Sequence, residues 1–152
     1  MKSSDDTALQ AILRVITLSA SLEARYNPVL ASVHALSFHQ FTMLLNVYKA
    51  PLRRMRRVDL ASALSMGASS ISHLTDPLER EGLLRRDADP RDARVVYVAL
   101  TDAGAERVEA VQATLRERAG KLFDERWTDE DVAGFTTRLG QLAYGSTSNI
   151  ID

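Results

Sequence analysis

Residues 83–104 read Leu83-Leu84-Arg85-Arg86-Asp87-Ala88-Asp89-Pro90-Arg91-Asp92-Ala93-Arg94-Val95-Val96-Tyr97-Val98-Ala99-Leu100-Thr101-Asp102-Ala103-Gly104. Two short apolar runs flank a tip dense in Arg and Asp. At the tip, Asp89-Pro90 starts a turn, because proline fixes φ and the aspartate side chain bonds the backbone ahead of it. The segment follows directly on a helix that ends at Gly82. It therefore predicts a small β-hairpin with arginines at its end, a shape suited to entering a nucleic-acid groove.

Working outward from the hairpin, helical periods account for most of the chain. Leu9, Ile12, Leu13, Ile16 and Ala20 recur every 3.6 residues and predict a helix from Asp6 to Arg25, ended by Asn27-Pro28. Val15, Leu18 and Leu22 add a second apolar stripe, so this helix must bury more than one face, against other helices and a second chain. Residues 29–35 are mildly apolar and give no assignment. Ser37 with Gln40 reads as a capping box opening a helix whose core face is Phe38, Phe41, Leu44, Leu45 and Tyr48; Ala50-Pro51 stops it. Arg53-Arg54-Met55-Arg56-Arg57 precedes a short helix, Val58 to Leu64, and a break at Met66-Gly67 leads to a helix from Ala68 to Glu81. Beyond the hairpin, Thr101 caps a long helix with Ala105, Val108, Val111, Leu115 and Leu122 on its apolar face. Thr128 caps the last helix, with Asp131 at its third position; Trp127 and Val132 sit where a hydrophobic staple belongs. Val132, Phe135, Leu139 and Leu142 form its stripe, and the polar tail from Gly145 is expected to fray.

The order helix, short helix, turn, helix, hairpin is that of a helix-turn-helix followed by a wing. In such motifs the second helix of the pair enters the major groove and its N-terminal residues meet base edges. Here it begins Ala68-Ser69-Ser70-Ile71-Ser72-His73-Leu74-Thr75. Ile71, Leu74 and Leu78 share an inward face, while Ser69, Ser70, Ser72 and His73 point away from it. Small hydroxyls permit close approach to bases and phosphates, and histidine can bond either. A serine-rich solvent face bonding only its own backbone would look the same; the hairpin and the neighbouring arginines favour nucleic acid. Arg53, Arg54, Arg56 and Arg57 oppose the macrodipole of the helix they precede, a cost that a bound phosphate would reverse.

Composition narrows the classes. The chain has 152 residues, 45% of them hydrophobic, enough for about one domain without disulfides or metals. With no cysteine there is no thiol switch, Cys-ligated zinc or disulfide framework. Met1-Lys2-Ser3-Ser4-Asp5-Asp6 lacks the apolar run of a signal peptide, and no stretch approaches the roughly 20 apolar residues of a membrane helix, which predicts a soluble, cytoplasmic protein. The net charge of −1 conceals an uneven distribution: residues 49–94 hold ten Lys and Arg against seven Asp and Glu, and the remainder holds nine against thirteen. The basic excess coincides with the candidate nucleic-acid-binding third. Nothing pairs a nucleophile with a base, cradles a phosphate with glycines or gathers metal ligands, so no enzyme, cofactor or metal site is expected. His34, His39 and His73 never fall at close ligand spacing.

From about Leu36 to Gly104 the chain resembles the MarR (multiple antibiotic resistance regulator) family of winged-helix regulators. The resemblance rests on Leu36-Ser37 with Gln40, Asp59-Leu60-Ala61, Leu78-Glu79-Arg80-Glu81-Gly82-Leu83, and Arg85-Arg86 through Asp89-Pro90-Arg91-Asp92-Ala93-Arg94 to Leu100-Thr101 and Gly104. It implies a mainly α fold with a small β-hairpin: a winged helix-turn-helix over 36–104, with residues 1–35 and 105–152 forming a helical dimerisation region. It implies a homodimer on double-stranded DNA, with the helix at 68–81 reading the major groove of a pseudo-palindrome. Arg94 would enter the minor groove, held by Asp92, with Arg91 beside it. Repression relieved by a small aromatic effector is also implied, and Tyr26, His34, His39 and Met43 are candidates to line its space. Two residues depart from the pattern: Gly67 stands where a capping serine is usual, and Pro77 where a basic residue is common. They are the best support for the alternative, a winged-helix protein-interaction module that does not bind DNA.

Overall fold

The structure, a computed structural model, describes residues 2–123 and 125–143. The tail from Gly145 lies outside the described residues. The chain forms two units, Met1–Phe38 and His39–Asp152.

The first unit is one long helix, α1 (Lys2–His34), and the turn after it. The helix expected to end at Asn27-Pro28 instead runs through Pro28. A proline inside a helix forfeits one backbone bond and crowds the carbonyl four residues back, costing about 3 kcal/mol. Here Tyr26 and Leu30, one turn apart around the proline, are both buried and offset that cost. The stop comes instead at Ala35, whose φ of 53° is left-handed; its N–H bonds the Ala31 carbonyl at 3.2 Å, and the Leu36 N–H bonds that of Leu30 at 3.2 Å. Asn27 serves the far side of this turn, its Oδ1 accepting the Phe38 N–H at 2.9 Å. Along the outer part of α1, Leu9, Ile12, Leu13, Val15, Ile16 and Leu18 remain 38–60% exposed.

The second unit contains α2 (Phe38–Lys49), a 3₁₀ turn at Pro51–Arg53, β1 (Arg54–Arg56), α3 (Arg57–Ala63), α4 (Ala68–Arg80), β2 (Leu84–Ala88), β3 (Val96–Leu100), α5 (Asp102–Ala119) and α6 (Asp129–Ala143). The strands form an antiparallel sheet in the order β1-β3-β2, with Leu84 opposite Leu100, Asp87 opposite Tyr97, and Arg56 also opposite Tyr97. Leu44, Val47, Leu60, Ile71, Leu78, Leu84, Val98, Val108 and Val111 are almost wholly buried and make the core. β1 is a correction to the sequence reading. The arginine run read as the flank of a helix from Val58 is itself a strand, and the helix begins at Arg57. Three residues are too few to show a strand's alternation; β3 supplies the pairing that makes them one.

Three corners fix how the helix-turn-helix meets the hairpin. Between α3 and α4 the left-handed residue is Ser65 (φ 52°), with Ser65 N–H bonding Ser62 O at 3.1 Å and Met66 N–H bonding Ala61 O at 2.9 Å. Gly67, at an ordinary φ of −73°, is the N-cap of α4 and brings no side-chain cap. Between α4 and β2 the same motif recurs with Gly82 at φ 73°, and Leu83 N–H bonds Leu78 O at 2.9 Å. Thr101 then closes the base of the wing. Its Oγ1 accepts the Gly104 N–H at 3.0 Å, as the capping pattern predicts, and donates to Gly82 O at 2.6 Å.

The predicted Thr128 cap is also formed. The Asp131 N–H bonds Thr128 Oγ1 at 3.1 Å, and Asp131 Oδ2 accepts the Thr128 N–H at 2.9 Å. Trp127 packs edge-on against Phe123 and Phe135, with centroids 5.3 and 5.7 Å away. None of α6's described residues is buried, and Leu142 is 63% exposed.

Candidate nucleic-acid interface

α4 is helical because its apolar residues recur on one side and Gly67 and Gly82 bracket it. Ile71, Thr75 and Leu78 are buried, and Leu74 is half-buried. Pro77 lies inside the helix without ending it, and leaves the His73 carbonyl without the amide four residues on. Of the predicted base-reading residues, Ser69, Ser70 and His73 are exposed. Ser72 is not: it is half-buried, and its Oγ accepts from Arg57 Nη1 at 3.2 Å. The helical repeat that starts at Ser69 and His73 continues to Asp76 and Arg80, both exposed and both missed in the sequence reading. The same i, i+3, i+4, i+7 count that sorted the serines would have found them.

The arginines expected to meet phosphates are already engaged within the protein. Arg54 Nη1 bonds Asp87 at 3.0 Å, and its guanidinium lies 4.4 Å from the Tyr97 ring centroid. Arg56 grips Asp59 with two bonds, 2.7 and 2.9 Å. Arg57 reaches Glu79 at 3.2 Å as well as Ser72, so it ties the start of α3 to α4. Arg86 bonds the other Glu79 oxygen at 3.0 Å. Arg53 follows Leu52 in the left-handed region (φ 56° and 50°) and sits 4.8 Å from the Tyr48 ring centroid. The exposed Arg56–Asp59 pair is worth under about 1 kcal/mol, so a phosphate can displace that carboxylate at little cost, whereas Arg54–Asp87 and Arg57–Glu79 are more than two-thirds buried. Arg56, Arg57 and Arg94 line one cavity of about 290 Å³ between α3 and the wing, together with Val58, Val95 and Val96.

The wing tip is held by two aspartates. Asp89 Oδ1 accepts the Arg91 N–H at 2.7 Å, and Asp89 Oδ2 accepts the Tyr97 hydroxyl at 3.2 Å. Asp92 Oδ1 accepts both the Arg94 N–H, at 3.0 Å, and Arg94 Nε, at 3.2 Å, while the Arg94 side chain stays 92% exposed. The Arg91 side chain has no carboxylate partner among the described residues. Hydrogen bonding to the Arg91 backbone, ahead of the Tyr97 hydroxyl, holds the Asp89 carboxyl below its ordinary range against a smaller opposing effect of burial. A carboxylate whose folded value is depressed lends stability that is full above its unfolded value and lost as pH falls through the folded one. The tip is therefore expected to stay closed throughout the ordinary carboxylate range and to open only at pH below it. In an NMR titration the Arg91 amide should hold its shift until that point, and Asp89→Asn should abolish the transition.

The four residues considered for an effector are divided between the units: Tyr26 and His34 lie on α1, His39 and Met43 on α2. Tyr26, His34 and Met43 are buried and His39 is exposed. Among the described residues no His, Asp and Glu group is placed to hold a metal, and no helix is long and apolar enough to cross a membrane.

A helix-turn-helix whose exposed helix adjoins an arginine-tipped wing defines a winged helix-turn-helix protein. Residues 36–96 match the MarR family. The HTH-type transcriptional regulator YkoM of Bacillus subtilis (strain 168) is 29% identical over 97 residues, 64% of this chain and 62% of YkoM. The HTH-type transcriptional repressor YetL of the same organism is 27% identical over 107 residues, 70% of this chain and 64% of YetL. The chain thus spans under two thirds of the length of these relatives. Among solved structures, Sco3205, a MarR family transcriptional regulator from Streptomyces coelicolor in complex with DNA, matches with a TM-score of 0.73 and 25% identity, covering 90% of this chain and 89% of that one. Over residues 36–96 the chain is similar to the MarR family, and its fold is that of a winged helix-turn-helix.

Proposed function

We propose that two copies of the chain bind a pseudo-palindromic duplex as a repressor, with half-sites one helical turn apart, about 34–36 Å. α4 lies in the major groove with Ser69, Ser70 and His73 at base edges. The wing places Arg94 in the minor groove, oriented by Asp92, with Arg91 alongside. Arg53, Arg54, Arg56 and Arg57 face the phosphates, exchanging carboxylate partners for phosphate oxygens. The observation that carries this reading is the shared cavity of Arg56, Arg57 and Arg94, a concave basic seat between α3 and the wing whose Arg57 also bonds Ser72 of α4. The solved DNA complex of Sco3205 supports the mode of binding, and the apolar surfaces left exposed on α1 and α6 support a second copy. YetL's description as a repressor supports the direction of control.

One observation favours the alternative of an interaction module: Arg54, Arg56, Arg57, Arg86 and Arg94 each have a carboxylate partner in the protein itself. Retention on duplex DNA at low salt separates the two, since an interaction module passes through. In a gel-shift series Arg94→Ala should weaken specific and random duplex alike, by about tenfold, and reduce the slope of log affinity against log salt by about one. Ser70→Ala and His73→Ala should instead alter site preference. Unchanged affinity for Arg94→Ala would remove the wing from the interface.

A further inference from the structure

The cavity between α3 and the wing is lined by two kinds of side chain. Arg56, Arg57 and Arg94 bring charge, and Val58, Val95 and Val96 bring apolar surface. Each arginine has its carboxylate partner outside the cavity, at Asp59, Glu79 and Asp92, and among the described residues no carboxylate lines it. We infer that the three valines receive the sugar of the strand whose phosphate the arginines hold, and that they select 2′-deoxyribose over ribose at that point. The inference rests on the DNA-binding reading above and gives a role to residues which that reading leaves idle.

The apolar wall is an overhang of the core. Side chains alternate along a strand, so Val96 falls on the face of β3 that carries the buried Val98 and Leu100. The pairing of β1 with β3 ends at Arg56 and Tyr97, so Val96 lies one residue beyond it and is 41% exposed. Val58, the second residue of α3, is 67% exposed. Val95 is half-buried and its backbone is spent in the wing turn: its N–H bonds the Asp92 carbonyl at 2.9 Å, and its carbonyl accepts the Asp89 N–H at 3.0 Å. None of the three side chains has a polar atom to offer a phosphate.

A bare inorganic anion is best met by donors on every side. Three cations beside three valines instead suit a unit in which an anionic part is joined to an apolar one. The duplex backbone supplies that unit in every repeat, a phosphate bonded to a sugar. In DNA the 2′ carbon of the sugar carries only hydrogen; in RNA it carries a hydroxyl that both donates and accepts. Against valine such a hydroxyl loses its water and finds no partner, which weakens binding. The volume, about 290 Å³, is at the lower limit of small-molecule pockets, which suits one backbone repeat better than a separate ligand.

A duplex selected from a random pool by the chain itself is the probe. Single ribonucleotides are placed at each position of one strand in turn, and affinity is read by anisotropy. Ribose at one or two neighbouring positions in each half-site should weaken binding about tenfold, with little effect elsewhere. A 2′-fluoro sugar at the same positions, which favours the ribose pucker without a hydroxyl, should bind as DNA does. Val58→Thr and Val96→Thr keep the side-chain size and offer a hydroxyl to the ribose. Each should narrow the preference for deoxyribose to about threefold or less, whereas a purely structural role would weaken both duplexes alike. Both valines are exposed, so neither change disturbs the core. A flat ribose scan, an equal loss with 2′-fluoro, or an unchanged preference in both threonine variants would overturn sugar selection and leave the DNA-binding reading standing. Failure to retain any duplex at low salt would overturn that reading, and this inference with it.

Discussion

Placing glutamate at both Leu13 and Ile16 is expected to leave single chains in solution and to cut affinity for a two-half-site duplex by about two to three orders of magnitude. The two side chains are 52% and 60% exposed on a face of α1 shared with Leu9 and Ile12. Each such side chain contributes about 1.5–3 kcal/mol when fully buried. A twofold interface counts every contact twice, so the pair of substitutions removes four apolar groups and adds four like charges. The duplex then loses its second, tethered attachment, which is the source of the affinity drop. α1 itself should persist, because the altered positions lie on its outer face and glutamate is a good helix former. Sedimentation should show the change of mass, anisotropy with an operator-length duplex the loss of affinity, and circular dichroism an unaltered helix content. A double variant that still sediments as a dimer would move the interface off α1.

What could be read from the sequence was local, and what could not depended on partners far along the chain. Thr101 and the Thr128–Asp131 pair cap their helices as the residue pattern requires, because donor and acceptor lie three residues apart. The wing tip was legible for the same reason, with Asp89 and Asp92 each bonding an amide two residues on. β1 was not legible: Arg54–Arg56 becomes a strand through β3, more than forty residues later. The helix stop at Pro28 failed because the burial of Tyr26 and Leu30 outweighs a local breaker. The left-handed residue before α4 proved to be Ser65, while the adjacent glycine has an ordinary φ.

The candidate site shows the same division. Composition gave the basic excess and the arginines that carry it. It could not show that Arg54 meets Asp87, 33 residues away, or that Arg57 meets Ser72 and Glu79, 15 and 22 residues away. Those pairings change the character of the surface. On the proposed DNA-binding reading, carboxylates hold this charge until phosphates replace them, which favours geometry-specific over indiscriminate binding. Arg57 gains a structural duty besides, since it fixes Ser72 on α4 from the first residue of α3.

Gly104→Ala should be among the most damaging single-methyl additions in the molecule, with a loss of about 2–3 kcal/mol and a Tm lower by roughly 4–10 °C. Elsewhere in a helix the same change would favour folding by up to about 1 kcal/mol. Here a Cβ would overlap the Leu83 carbonyl oxygen and come within 2.7 Å of Leu100 Cδ1. The carbonyl cannot retreat, because it already accepts the Thr101 N–H at 3.1 Å and belongs to the corner that Thr101 ties to Gly82. Relief requires α5 to move away from the base of the wing, which would loosen the cap and the β2–β3 pairing together. Gly134→Ala on α6 is the control: nothing lies within 4 Å of its added methyl, so it should be neutral or slightly stabilising. Urea unfolding of the two variants side by side measures the difference. Equal stability would mean that α5 and the wing base are not in the close contact on which the wing's position depends. If the loss is found, duplex affinity measured below the lowered Tm should fall as well, because a displaced wing base carries Arg91 and Arg94 with it.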